Sequence, residues 1–358
     1  MQYAPIGAES QSQPLRLRLS AVDPAHTTFH CKSRYNAGKF QSLEVAMSSE
    51  SPRILVVGAG VNGSVCAAEL HRAGFNVTVL ARNQRYKELS GQGIEIENPL
   101  NGVRTVTWVP VIDNLAPGDL YDYILVMVRK NQVMDIMPAL AQNHSPCVVF
   151  MVNTALGPEE WIAALGADRV MLGFVFAGGR REGSLVRAMR AKHSSTPFGE
   201  AGGAVTPRLT RLIGILNRAG LKAKAEKHMA DWLACHAAMV APFAMLLLKH
   251  GCDNYAMARS KSDLRLLAAS IPETQAVLRA NGRRIVPRAL AVIGALPRFA
   301  HVALFRALVP SKFAEIGGAW HCSQAPDEMN QLAKELKELV ERSGLPVPAL
   351  RQILADVN

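Results

Sequence analysis

A chain of 358 residues with 49% hydrophobic and 19% charged side chains is too apolar for disorder and too long for one small module; about 100–200 residues per domain predicts two domains. Forty Lys and Arg against 29 Asp and Glu leave a formal charge of +11, which raises three anionic partners: nucleic acid, a membrane surface or a small acidic or phosphorylated molecule. Six cysteines without a CxxC pair or metal-ligand spacing exclude a disulfide scaffold and read as reduced thiols of a cytoplasmic protein with no metal site.

Residues 1–51 mix Gln, Ser, Pro and His with charge and lack sustained periodicity, so a disordered leader is expected there. A transit peptide is the alternative, and the acidic residues of the segment count against it. From residue 53 short apolar runs alternate with helical stretches. Residues 54–57 predict a buried strand, 61–73 a helix stopped by Gly74, and 77–80 a second strand, together one βαβ unit. Strand-like stretches at 93–97 and 103–109 add a hairpin or an edge. Apolar runs at 123–128, 147–152 and 170–176, separated by helical segments near 131–142 and 157–166, predict a parallel sheet covered on both faces.

Beyond residue 201 helix periods dominate, as over 329–342, where Leu332, Leu336, Leu339 and Val340 share one face. The longest apolar stretch, 234–248, contains His236 and Pro242 and is shorter than the ~20 residues of a membrane span, so it reads as a core helix. The charge is uneven: residues 1–50 and 51–200 each carry a net +1, and 201–358 carry +9. Within 201–312, 17 basic residues face 5 acidic ones, but aromatic residues are few and no run of five like charges occurs, so neither nucleic acid nor a membrane is the expected partner. A solvated basic surface and a lobe closing over an acidic small molecule remain the two readings of that excess.

Gly58, Ala59, Gly60, Val61, Asn62 and Gly63 form GxGxxG between a predicted strand and a predicted helix. In that setting the first glycine makes the tight turn, the second lets backbone amides approach a pyrophosphate, and the third lets helix and strand pack closely, with the helix N-terminus facing the anion. The expected fold is therefore an α/β N-terminal Rossmann domain with a mostly parallel doubly wound sheet over 52–200, followed by an all-α C-terminal domain over 201–358 for substrate binding or dimerisation. The second strand ends in Leu80-Ala81-Arg82-Asn83, with Arg85 close behind, where an acidic residue would bind a ribose 2′-hydroxyl. A guanidinium there suits a 2′-phosphate, so NADP is expected over NAD, against the alternative of a surface arginine with no ligand.

The chain resembles the ketopantoate reductase family (2-dehydropantoate 2-reductase). The resemblance rests on residues 53–64, on Val79-Leu80-Ala81-Arg82, on residues 123–132 and on Val149-Phe150-Met151-Val152-Asn153. It covers about 52–200 well and the rest loosely. Such members join a Rossmann domain to a helical domain and reduce 2-dehydropantoate with NADPH. The resemblance implies that Arg129, beside Lys130, takes the place of a lysine that touches cofactor and substrate, and that Asn153 keeps the asparagine beside the nicotinamide ribose. In the helical domain the likeness weakens: aligning on Pro242 puts Leu233, Ala237 and Ala241 where the family has a catalytic lysine and two asparagines. Glu315 resembles the family's later glutamate, and Glu328 competes for that role.

Reducing a 2-keto acid requires a hydride donor against the carbonyl carbon, an acid for the developing alkoxide and a partner for the carboxylate. His236, about one turn beyond the lost lysine position, is the candidate acid, because an ordinary imidazole titrates near neutrality. The alternative is a helix histidine packed beside Trp232. Lys249 reads as a cation at a helix end. The expected protein is an NADPH-dependent reductase of a carboxylate or carbonyl substrate, and a homodimer is compatible with it. A non-catalytic NADP-binding regulator that has lost the lysine is the second reading.

Overall fold

The computed structural model describes residues 51–174, 177–190 and 195–357. The leader expected over 1–51 therefore lies outside them except for Ser51, as do residues 175 and 176 of the strand expected over 170–176. In chain order the sheet half runs β1 (Arg53–Val57), α1 (Val61–Arg72), β2 (Asn76–Leu80), α2 (Asn83–Gln92), β3 (Ile94–Glu97), β4 (Arg104–Thr107), β5 (Val111–Ile112), β6 (Tyr123–Val126), α3 (Val133–Gln142), β7 (Val148–Phe150), α4 (Glu159–Leu165), β8 (Val170–Gly173), β9 (Ala177–Glu182), β10 (Leu185–Arg190), β11 (Thr196–Glu200), α5 (Pro207–Arg218) and β12 (Ala223–Ala225). The helical half follows as α6 (Met229–Lys249), α7 (Asn254–Arg259), α8 (Lys261–Ala280), α9 (Arg288–Gly294), α10 (Arg298–Leu308), α11 (Lys312–Ala314), a π-helical segment (Glu315–Ala319), α12 (Trp320–Gln324), α13 (Pro326–Ser343) and α14 (Pro348–Ile353).

The main sheet has the order β12-β11-β8-β7-β6-β1-β2-β5, parallel throughout except where β11 meets β8. β1 is central because its Ile-Leu-Val-Val run can be buried on both faces: Ile54 and Val56 enter one core beside α1 and α5, while Leu55 and Val57 enter the other beside α3 and α4. Val57 stands opposite Leu80 of β2 and Val126 of β6. The chain leaves β1 toward β2 and later returns to β6 on its other side, so a crevice opens at the carboxyl ends of β1 and β6, the usual ligand position in such sheets.

The stretches expected to form a hairpin do so as β3 and β4, but in a second sheet of order β4-β3-β10-β9 that covers α1 through Val65, Ala177, Val186 and Ala188. β9 and β10 escaped sequence reading because Ala-Gly-Gly-Arg-Arg-Glu carries no apolar alternation. The main sheet also runs past residue 200. β12 pairs with β11, and α5 packs Leu209, Leu212, Ile215 and Leu216 into the sheet core. The helix periods that begin after 201 thus first serve the sheet, and the separate helical core starts at α6.

α6 extends beyond the apolar stretch read from the sequence: it has 21 residues and is apolar enough by length and composition to cross a membrane. Its place in the fold is the centre of the helical core, packed with α8 and α13 through residues such as Ala234, Ala241, Leu247, Leu267 and Leu336.

Candidate functional site

The crevice at the ends of β1 and β6 is a cavity of about 630 Å³. The glycine loop forms its floor, and the three glycines have separate physical reasons. Gly58 has φ +99°, and a Cβ there would lie 2.8 Å from the Met127 carbonyl oxygen. A Cβ on Gly63 would lie 1.9 Å from the Gly58 carbonyl oxygen, so only glycine lets α1 start this close to β1. A Cβ on Gly60 would meet nothing within 4 Å. The protein alone does not require glycine at that position, whereas a pyrophosphate approaching the loop would.

Arg85 is the brace of this loop. Its Nε donates to the Ala59 carbonyl at 3.0 Å, its Nη2 to Ser64 Oγ at 3.2 Å, and its Nη1 to Glu88 Oε2 and to the Ser184 carbonyl. It is 8% exposed and committed to protein partners, unlike Arg82, which is exposed on the cavity wall at the head of α2. A second guanidinium, Arg181 of β9, lines the same wall, with Nη1 4.0 Å from Glu88 Oε2. Sequence reading missed Arg181 because its strand was not recognised. Asn62 turns its Oδ1 toward the backbone N–H of Ala177, at 3.0 Å, and so ties the loop to β9.

Arg129 and Lys130, adjacent in sequence, part company. Arg129 lines the cavity and reaches across it: Nη1 lies 3.0 Å from Asp327 Oδ1, and Nη2 donates to the Gln324 carbonyl at 2.5 Å. Asn131 Nδ2 donates to the same carboxylate at 2.8 Å. Burial alone would raise the Asp327 carboxyl, but the Asn131 hydrogen bond and the Arg129 charge hold it below its usual value. Lys130 does not line the cavity. Its Nζ is 3.5 Å from Glu335 Oε1 and 5.0 Å above the Trp161 ring, under α13. Glu335 Oε2 in turn accepts from the backbone N–H groups of Ala155 and Leu156. Lys130 is thus a brace between the sheet half and α13.

Asn153, past the end of β7, lines the cavity. Its Nδ2 donates to Glu328 Oε1 at 3.3 Å, while its buried Oδ1 has no partner. Glu328, 4% exposed at the start of α13, also lies 3.3 Å from His321 Nε2 through its Oε2. His321 sits on α12, directly after the π-helical segment, and lines two cavities at once: the crevice and a smaller, apolar cavity of about 310 Å³ in the helical half. The glycines of the π segment make this possible. A Cβ on Gly178 of β9 would lie 2.7 Å from Gly317 Cα, so β9 and the π segment are in backbone contact.

His236 lines the apolar cavity only. Its ring stacks on Trp232 at 5.2 Å and tilts against Phe174 at 4.5 Å. Burial, and then the nearby charge of His321, push its pKa down to about 4, so it is a neutral aromatic wall at neutral pH rather than a group titrating near 6.5. Glu315 lines neither cavity: Lys312 Nζ and Tyr255 Oη each donate to its carboxylate at 2.8 Å at the head of the π segment. Of the two glutamates weighed from the sequence, Glu328 is the one in the crevice. Lys249 pairs with Asp263 at 2.8 Å at the end of α6. Leu233, Ala237 and Ala241 are fully buried in the cores. No Lys or Arg of residues 201–312 lines the crevice; among the described residues its guanidinium groups come from the sheet half. Among the described residues no group of three or more His, Cys, Asp or Glu could hold a metal ion, and the described cysteines are free.

Residues 54–203 match the family model described as ketopantoate reductase PanE/ApbA. No curated protein matches the chain significantly. Solved structures of similar fold include D-mandelate dehydrogenase with NADH and anilino(oxo)acetate (TM-score 0.69, 14% identity, 85% of this chain and 96% of that one). A PanE/ApbA family ketopantoate reductase from Ralstonia eutropha has a TM-score of 0.67 at 18% identity, over 85% of this chain and 97% of its own. A 2-dehydropantoate 2-reductase from Methylococcus capsulatus has a TM-score of 0.59 at 20% identity, over 85% and 94%.

Proposed function

We propose that this chain, whose residues 54–203 match the ketopantoate reductase PanE/ApbA family model, is an NADPH-dependent reductase of a 2-keto acid or related carbonyl compound. The observation that carries the reading is one crevice holding, from end to end, the guanidinium of Arg82, the open face of Gly60, the unpartnered Asn153 Oδ1 and the His321–Glu328 pair. Similarity to solved NADH-bound and ketoreductase structures is in keeping with it.

The residues fit a dinucleotide. Backbone N–H groups of residues 58–63 and the positive end of α1 receive the pyrophosphate, with Gly60 leaving the approach clear. Arg82 receives a 2′-phosphate, with Arg181 lining the same crevice, since guanidinium forks match phosphate oxygens. Asn153 Oδ1 accepts a hydrogen bond from the nucleotide, because a buried acceptor left unpaired costs about 1–3 kcal/mol. The nicotinamide supplies the hydride when bound. His321 supplies the proton: Glu328 Oε2 lies 3.3 Å from its Nε2, leaving Nδ1 to protonate the alkoxide that forms as the carbonyl is reduced. Asn153 Nδ2 in turn orients Glu328.

His321→Gln is expected to lower kcat for NADPH oxidation by about 10²–10⁴-fold while leaving the Kd for NADPH within threefold. Stopped-flow and equilibrium fluorescence measurements separate the two. An unchanged kcat would remove His321 from the chemistry. The second reading, a cofactor-binding regulator, is favoured by the burial of Leu233, Ala237 and Ala241 where the family has its lysine and asparagines. It predicts NADPH binding without oxidation across a panel of 2-keto acids.

A further inference from the structure

We propose that the substrate carries a bulky apolar group and that the cavity behind His321 receives it, so that 2-dehydropantoate, a small hydroxylated acid, is the poorer substrate. This rests on the reductase reading and adds the substrate class to it. The cavity lies between α6, α8, α10 and the π–α12 segment, and His321 belongs to its wall and to that of the nucleotide crevice. A carbonyl held at His321 therefore has two directions open to its substituents, one toward the nucleotide and one into this cavity.

The cavity wall is apolar: Val240 and Phe243 come from α6, Leu267 and Ile271 from α8, Phe305 from α10, and Phe313 from α11. Among the described residues no Lys, Arg, Asp or Glu lines it. Its titratable members besides His321 are His236, which burial keeps neutral, and Cys322, whose thiol burial pushes up to about 12. A carboxylate placed there would lose its water without gaining a charged side chain of opposite sign from the wall, and a hydroxyl would find only the two imidazoles among the wall's polar side chains apart from the Cys322 thiol. An apolar group gains about 25 cal/mol for each Å² taken from water. The discrimination therefore has one sign throughout the cavity.

Its size sets the scale of the group. A dry apolar cavity of about 150 Å³ accepts benzene. At about 310 Å³ this one has room for a phenyl ring and the atoms linking it to the carbonyl, or for a branched aliphatic chain of similar bulk. The polar head stays at the mouth, beside His321, where Asn153 and Glu328 are the crevice's nearby polar side chains.

The test compares phenylpyruvate and 4-methyl-2-oxopentanoate with 2-dehydropantoate and pyruvate, by NADPH oxidation with the full chain. The apolar pair should show kcat/KM at least tenfold above the polar pair. Val240→Trp, which fills the cavity from α6, should raise the KM for phenylpyruvate at least tenfold, with Tm and NADPH affinity near those of the parent protein showing that the fold is intact. Calorimetric titration of phenylpyruvate into the NADP⁺-loaded protein, where no hydride is available, reads the same site without turnover and should show binding that Val240→Trp abolishes. Equal or better kcat/KM for 2-dehydropantoate, or phenylpyruvate binding indifferent to Val240→Trp, overturns the cavity assignment and leaves the reductase reading standing. NADPH bound but oxidised with none of the four carbonyls overturns the reductase reading and this one with it.

Discussion

Gly58, Gly60 and Gly63 look alike in a motif and differ in three dimensions. Gly63 is required by the fold, since any Cβ there would strike the Gly58 carbonyl; Gly60 faces open space and is required only by a ligand. Gly63→Ala should therefore destabilise the protein by several kcal/mol, seen as a lower urea midpoint. Gly60→Val should leave that midpoint almost unchanged and weaken NADPH binding at least tenfold, and a Gly60→Val protein that binds NADPH normally would place the phosphates elsewhere. The same contrast holds among the cations: Arg82 and Arg85 are three residues apart and both line the crevice, yet Arg85 is buried and spent on the loop while Arg82 is exposed. Residue type and spacing singled out Arg82, with Arg85 close behind it. Which guanidinium was free depended on Ser184, 99 positions further along the chain.

At the scale of elements, the site is assembled by contacts that bring the head of α13 and the π–α12 segment against the sheet. Arg129 and Asn131 reach Asp327, Asn153 reaches Glu328, and Lys130 reaches Glu335, all within the first three turns of α13. The Arg129–Asp327 pair is partly exposed, so its net contribution to stability is about 0–1 kcal/mol. Lys130 and Glu335 are enclosed, and Glu335 also holds the backbone N–H groups of Ala155 and Leu156. Lys130→Ala should cost about 1–3 kcal/mol, the carboxylate keeping its backbone partners but losing its cation, and should leave NADPH affinity unchanged. A change in affinity without a change in stability would return Lys130 to the crevice. The amphipathic period of α13 predicted a helix with its apolar face inward, and Leu332, Leu336, Leu339 and Val340 are buried accordingly. The polar residues Glu328 and Glu335 fall on that same face at helical spacing from Leu332 and Leu339 and are buried too; the period turns them inward but does not name the partners they meet there.

For the molecule as a whole, the excess positive charge and the cation-lined crevice are separate features. Most of the excess belongs to residues 201–312, but the crevice draws its guanidinium groups from the sheet half, and Arg265, Arg298 and Arg306 line a surface groove beside the exposed Phe299. Cofactor selection should therefore depend on Arg82 and not on the net charge. NADPH is expected to bind at least tenfold more tightly than NADH, a difference of about 1.4 kcal/mol, with the preference lost in Arg82→Ala and retained in Arg298→Ser/Arg306→Ser. Equal affinities in the parent protein would exclude a 2′-phosphate site at Arg82. The parallel sheet, the glycine-rich turn and the helical second half were legible in the sequence because each is written in neighbouring residues, as apolar period or glycine spacing. The second sheet, the turn of Lys130 away from the crevice, the location of Glu328 and not Glu315 in its lining and the place of His321 in the walls of two cavities come from tertiary contacts. His321 meets Glu328 across the break between α12 and α13, and Asn153 meets Glu328 across 175 positions. A local pattern reports what a segment can form; which polar side chains share a crevice depends on packing between segments far apart in the chain, and that packing leaves no period in either one.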